Sequence, residues 1–192
     1  MTSFSEAVVD RRAVSRLGRR ALTAALGVAL LTLGAHLAVP LPGTLVPLTF
    51  QVPAVLLVGA LLGPGVGAAS AVVYLLLGVT GLPVFAPVPA GLSGPAALFG
   101  PTGGYLLTFP IAAAIAGRAA RAERLLAILG WFALATLAIH VGGVAQLTVL
   151  GGSFRAAVVL GSLPFLIGDG LKLLFVGLLV WRFGSKITRA LR

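Results

Sequence analysis

The chain has 192 residues, of which 59% are hydrophobic and 9% charged, where an ordinary soluble domain is about 45–50% apolar and about 25% charged. Together with a mean hydropathy of +1.11, this excludes a soluble globular fold, which could not cover so much apolar surface, and leaves an integral membrane protein. The net charge of +10 would raise nucleic acid in a soluble chain, but its placement points elsewhere: all basic residues except Arg155 and Lys172 fall at three span ends.

In chain order, residues 1–20 form a basic segment carrying Arg11, Arg12, Arg16, Arg19 and Arg20. The first apolar run, 21–39, is longer than a usual signal-peptide core and is not closed by a convincing Ala-x-Ala-like site, so it reads as a retained helix. Pro40-Leu41-Pro42-Gly43 stops it, because two prolines and a glycine cannot continue a helix. A short second span, 48–62, ends at Gly63-Pro64-Gly65, and a third, 66–80, at Gly81-Leu82-Pro83. The stretch 83–101 is apolar yet broken by Pro83, Pro87, Pro89, Pro95 and Pro101 and by several glycines, so it cannot be a regular helix. Irregular backbone exposed to lipid leaves N–H and C=O groups unpaired, so this segment belongs at a surface or around a cavity.

A fourth span, 102–117, precedes the basic cluster Arg118, Arg121 and Arg124; a fifth, 125–150, is linked by 151–155 to a sixth, 160–183; and 184–192 is a basic tail. The runs are rich in Leu, Ala, Val and Gly and show no sustained period-two alternation, which argues for helices over a β-barrel. The expected fold is therefore an all-α membrane protein of six transmembrane helices. Lys and Arg near span ends resist translocation, so the three basic clusters place both termini in the cytoplasm.

Charges inside spans carry the chemistry. Asp169 and Lys172 lie within the sixth span, three residues apart and so on one helix face. Each charge at a helix centre costs about 2.5–3.5 kcal/mol, so the pair needs a reason to be there. Three readings stand: a local ion pair, a proton or ion relay, and a cavity in which the ammonium meets a carboxylate while the carboxylate meets N–H donors. The last would suit a ligand with an acid at one end and amide-like donors at the other. Gln51, with Thr49 two residues before it, either lines a site or bonds a neighbouring helix. Thr102, Gly103 and Gly104 precede Tyr105, and the paired glycines allow close approach of a ligand or of another helix.

His36 and His140 stand alone in sequence, so no metal site is expected; cysteine is absent, which removes thiolate chemistry. Trp131 and Trp181 read as interfacial anchors. No Walker loop, His-Glu-x-x-His or Gly-x-Ser-x-Gly occurs, so the chain is not expected to be an enzyme or to use a cofactor of its own.

Four blocks, Pro47-Leu48-Thr49-Phe50-Gln51, Gly81-Leu82-Pro83-Val84-Phe85-Ala86, Gly100-Pro101-Thr102-Gly103-Gly104-Tyr105-Leu106 and Gly168-Asp169-Gly170-Leu171-Lys172, resemble the BioY family. These are the biotin-binding S components of energy-coupling-factor transporters, and the resemblance spans about 21–180. It implies a high-affinity biotin-binding subunit in the bacterial cytoplasmic membrane. The implied ligand residues are Asp169, Lys172, Tyr105, Gly104, Gly103, Thr102, Phe85 and Gln51. Asp169 would accept from the ureido N–H groups and Lys172 would hold the valerate carboxylate or another polar end.

The family resemblance also implies a transmembrane coupling subunit and two ATPases as partners, with ATP hydrolysis confined to those ATPases. Ala21 and Ala25 match the Ala-x-x-x-Ala spacing used for the coupling contact. The segment 86–95 departs from the family in being poorer in glycine and polar residues, so no ligand contact is carried over to it. An S component for another vitamin, a proton-coupled transporter and a purely structural membrane protein remain as alternatives.

Overall fold

In the computed structural model, residues 3–87 and 91–191 are described, with side chains between 17 and 187. Helix α1 (Ser3–His36) makes the basic start and the first apolar run one continuous helix, and it ends three residues before the expected boundary at Val39. The chain instead leaves it as a short strand, β1 (Ala38–Val39), which pairs antiparallel with β2 (Leu48–Thr49), Ala38 opposite Thr49. This ribbon closes the loop between them. The amide of Phe50 donates to the carbonyls of Gly34 and Leu37, tying the end of the ribbon to the last turn of α1.

Helix α2 (Gln51–Val79) contains the expected second and third spans. They are joined at Gly63, whose φ of 82° and ψ of 170° are non-helical. That region of backbone space is open essentially to glycine alone. Pro64 begins the second arm rather than preceding it, since proline is well suited to a first helical position. The arms fold back on each other: a methyl group built on Gly67 would press on the backbone of Gly59, and the Gln51 side chain reaches Tyr74. In one straight helix those two side chains would be roughly 35 Å apart at 1.5 Å per residue.

The proline-broken stretch carries a short helix, α3 (Pro95–Phe99), absent from the sequence expectation; its residues 88–90 lie outside those described. Helix α4 (Gly103–Ala116) continues as a 3-10 turn over Gly117–Arg121, and α5 is Leu125–Gly151. The linker expected at 151–155 is reduced to 152–153. Helix α6 (Phe154–Gly161) starts inside it, capped by the Ser153 hydroxyl, which accepts from the amide of Ala156. A break at Ser162 separates α6 from α7 (Leu163–Leu191), so the last long helix begins three residues later than expected.

Four helical segments are long and apolar enough to cross a membrane: Leu17–His36, Gln51–Val79, Leu125–Gly151 and Leu163–Ile187. The fold is thus that of an all-helical membrane protein. Its two arms in α2 and its 14-residue α4 are each shorter than the about 20 residues that cross 30 Å of hydrocarbon unaided.

α2 packs against α1, α4 and α7, and α5 packs against α4, α6 and α7. The outer surface keeps large apolar side chains such as Leu33, Ile111, Val141 and Ile167, while small residues fill the tightest internal contacts. A methyl on Gly59 would strike the carbonyl of Ala113, and one on Gly117 would strike the backbone of Pro64. Membrane helices associate through this kind of close backbone packing, because lipid tails supply no hydrophobic drive to bring them together.

The tight turn gives a direct test. Gly63→Ala should lower stability by about 1–3 kcal/mol, the cost of holding a side chain in that conformation. Gly65→Ala, two residues away with open space around it, should change little. Equal thermal shifts for the two variants in detergent would contradict the hairpin.

Candidate functional site

The site is assembled around Asp169, which sits in α7 and is 5% exposed. One carboxylate oxygen, Oδ1, accepts from Lys172 Nζ at 3.1 Å, one turn on along the same helix. The other, Oδ2, is 3.2 Å from Nε2 of His140 on α5. Lys172 also donates to the backbone carbonyl of Thr49 at 2.8 Å and lies over the ring of Phe50 at 5.6 Å. The ammonium therefore links α7 to the β-ribbon, and one of its three N–H groups is left over.

These groups line a cavity of about 690 Å³, a volume that includes space open to solvent. Thr49, Gln51, Thr102, His140, Asp169 and Lys172 supply its polar wall, and Val46, Val52, Phe85, Leu92, Phe109 and Phe165 are among its apolar lining. Such a mixture of a few convergent polar groups with a mainly apolar wall is the usual form of a small-molecule site.

Each wall residue is held by a neighbour. Gln51 stands at the first turn of α2, where its amide N–H donates to the Thr49 hydroxyl at 3.2 Å. Its side-chain Nε2 donates to the Tyr74 hydroxyl at 2.9 Å, and its Oε1 accepts from Thr49. The Phe85 ring fits over Gly78, where any side chain would overlap it, and meets the edge of Tyr74 at 5.4 Å. The Tyr105 hydroxyl donates to the carbonyl of Gly161, so Tyr105 offers the cavity its ring rather than its hydroxyl. The Thr102 hydroxyl makes no bond among the described residues and is free for a ligand.

Six of the eight expected ligand residues line this cavity: Gln51, Phe85, Thr102, Tyr105, Asp169 and Lys172. Gly103 and Gly104 do not. They are buried at the contact of α4 with α5 and with the end of α3, where a side chain would meet Leu98, Gly142 and Gln146. Ala21 and Ala25 do not line the cavity and are exposed on α1.

Asp169 and Lys172, 3.1 Å apart, bond each other directly.

Two side chains gain a place from the structure that sequence alone does not select. His140 reads in sequence only as a lone candidate metal ligand, although an ionisable residue in an apolar span is itself a signal of function. Among the described residues no three His, Asp or Glu side chains gather as a metal site would need. Gln146 of α5 donates to the carbonyls of Leu98 and Gly100, at 2.9 and 2.6 Å, and so fastens α3 and the broken loop to the bundle. Its partners are more than forty residues away in sequence. Gln146→Leu should therefore raise amide hydrogen exchange across 94–103 while leaving the β-ribbon at 38–49 unchanged. Unaltered exchange in both segments would show that the glutamine does not hold the loop.

Fold and site together define a mainly helical membrane protein with a cavity whose lining, a few polar groups in a mostly apolar wall, suits a small molecule. The sequence pattern of the BioY family matches residues 8–189, and the chain belongs to that family. A probable biotin transporter BioY of Pyrococcus horikoshii is 42% identical over 77% of this chain and 85% of its own length. The biotin transporter BioY of Thermotoga maritima is 34% identical over 85% of this chain and 95% of its own length. A solved structure, the S-component for biotin from an ECF-type ABC transporter, superposes with a TM-score of 0.74 over 91% of this chain and 93% of that one. At 23% identity that likeness shows the fold.

Proposed function

We propose that this chain is the biotin-binding membrane subunit of an energy-coupling-factor uptake transporter. The observation that carries the proposal is the Asp169–Lys172 pair in the wall of a mainly apolar cavity, in a chain of this family. A cyclic urea presents a carbonyl acceptor beside N–H donors, and an adjacent ammonium and carboxylate match that order. Lys172 then donates its remaining N–H to the ureido oxygen, and Asp169 accepts from a ureido N–H. The thiophane ring and the aliphatic chain lie along the apolar wall, where enclosing carbon at roughly 25 cal/mol per Å² gives most of the affinity. The valerate carboxylate points to the mouth and keeps its water.

The same proposal covers topology and partners. Six segments cross the membrane: α1, the two arms of α2, α4, α5 and α7. Both termini face the cytoplasm of a bacterial cell, in keeping with the three basic clusters. The transmembrane coupling subunit packs against the outer face of α1, where Ala21 and Ala25 are exposed at a spacing that permits close helix approach. ATP is hydrolysed by the partner ATPases, and this chain needs no cofactor and performs no reaction.

Two experiments test this reading. With purified protein, Asp169→Ala and Lys172→Ala should each weaken biotin binding by at least about ten-fold, the worth of a charge-assisted hydrogen bond. Biotin amide should bind nearly as well as biotin, and biotin methylated at a ureido nitrogen much less well. The reverse order of the two analogues would place the carboxylate, not the urea, at the pair, and binding of a different vitamin in a ligand panel would replace biotin. Because the natural chain lacks cysteine, single cysteines report topology cleanly. In intact cells an impermeant thiol reagent should label Leu45→Cys and spare Glu123→Cys; labelling of Glu123→Cys alone would invert the topology.

A further inference from the structure

The cavity wall contains a relay that the ligand contacts above do not use. His140 Nδ1 is 3.1 Å from the Ser162 hydroxyl, and its Nε2 faces Asp169. An ionised carboxylate only accepts, so Nε2 carries its proton toward Asp169, and in the neutral ring Nδ1 then accepts from Ser162. Ser162 is itself fixed at the break between α6 and α7. Its amide donates to the carbonyl of Val158, and its carbonyl accepts from the amide of Phe165. The edge of the imidazole meets the Tyr105 ring at 6.5 Å and 80°, and the Tyr105 hydroxyl holds the carbonyl of Gly161, next to Ser162. The ring thus has a bonded neighbour at each nitrogen and an aromatic neighbour beside it.

We infer that His140 is a positioning residue that fixes the orientation of Asp169 and so selects ligands presenting an N–H donor at that wall of the cavity. This rests on the proposed function, in which Asp169 accepts from the ligand. With only Lys172 bonded, the carboxylate would turn about its Cβ–Cγ bond and aim at a ligand in several ways. With Lys172 on Oδ1 and His140 on Oδ2, each oxygen keeps a lone pair in a set direction, and a rigid donor on the ligand finds the acceptor already placed. Orienting a charged group through an imidazole whose other nitrogen is anchored is a general device of polar sites, and here it spans α5, α7 and the α6–α7 break.

The test uses the purified full chain and isothermal titration with biotin and with biotin methylated at a ureido nitrogen, which lacks one N–H. His140→Leu should weaken biotin by about ten- to hundred-fold, as expected for losing the alignment of a charge-assisted bond. It should leave the weaker binding of the methylated analogue within about three-fold, so that the ratio between the two ligands collapses. His140→Gln, whose amide can donate to Asp169 Oδ2, should restore most of the ratio, and Ser162→Ala should reduce it partly.

If both ligands weaken equally in His140→Leu and His140→Gln does not rescue, the histidine only supports the fold and the inference fails. If His140→Leu does not fold, the ratio in His140→Gln and Ser162→Ala decides: a ratio lowered in Ser162→Ala and kept in His140→Gln supports the relay, and an unchanged ratio in Ser162→Ala overturns it. Failure of the underlying reading looks different, because then the natural protein does not bind biotin, or Asp169→Ala binds it as well as the natural protein does.

Discussion

A carboxylate taken into a hydrocarbon environment must be partnered on every side, and the arrangement of this molecule follows from how Asp169 meets that demand. Lys172 neutralises it from one turn away, His140 approaches from α5, and Thr49 takes a second bond from the ammonium. The long helices α5 and α7 and the β-ribbon are thereby joined at one point. Removing Lys172 would leave a buried carboxylate without its neutralising charge, which is more costly than never having placed the pair there.

The apolar part of the chain makes this possible by inverting the usual distribution of side chains. Large aliphatic residues face outward, and glycine and alanine fill the contacts between α2, α4 and the turn after it. Close backbone approach on that side leaves room on the other for a cavity, bounded by the hairpin in α2, the ribbon and the broken loop. Glycine has three uses here. Gly63 turns the chain, Gly78 makes room for the Phe85 ring, and Gly103 and Gly104 let α4 press against its neighbours.

The parts legible in the sequence were those in which a residue contradicts its surroundings. Asp169 and Lys172 stand out in an apolar run, and their spacing alone puts them together. The proline-broken stretch announces a non-helical wall, and Gly63-Pro64 announces a turn. What the sequence could not show is distance across the bundle. His140 meets Asp169 across 29 residues, and Gln146 meets Leu98 across 48, with no local pattern to mark either pairing. Gly103 and Gly104 fit helix packing and ligand approach equally well until their neighbours are known. Helix α6 was hidden because Gly151-Gly152-Ser153 reads as a linker, although its serine is in fact a helix cap. Spacing likewise puts Asp169 and Lys172 on one face but does not say that they bond each other.

The central claim is that Asp169 accepts a hydrogen bond from the ureido end of biotin. The chain has two aspartates, Asp10 and Asp169, so selective carbon labelling at Asp Cγ gives a spectrum with few signals. Solid-state magnetic resonance of that protein with biotin labelled with nitrogen-15 in the ureido ring measures the contact directly. A dipolar transfer between the ureido nitrogen and one Asp Cγ, lost in Asp169→Asn, is the predicted result. Saturated binding with no transfer to Asp169 would contradict it.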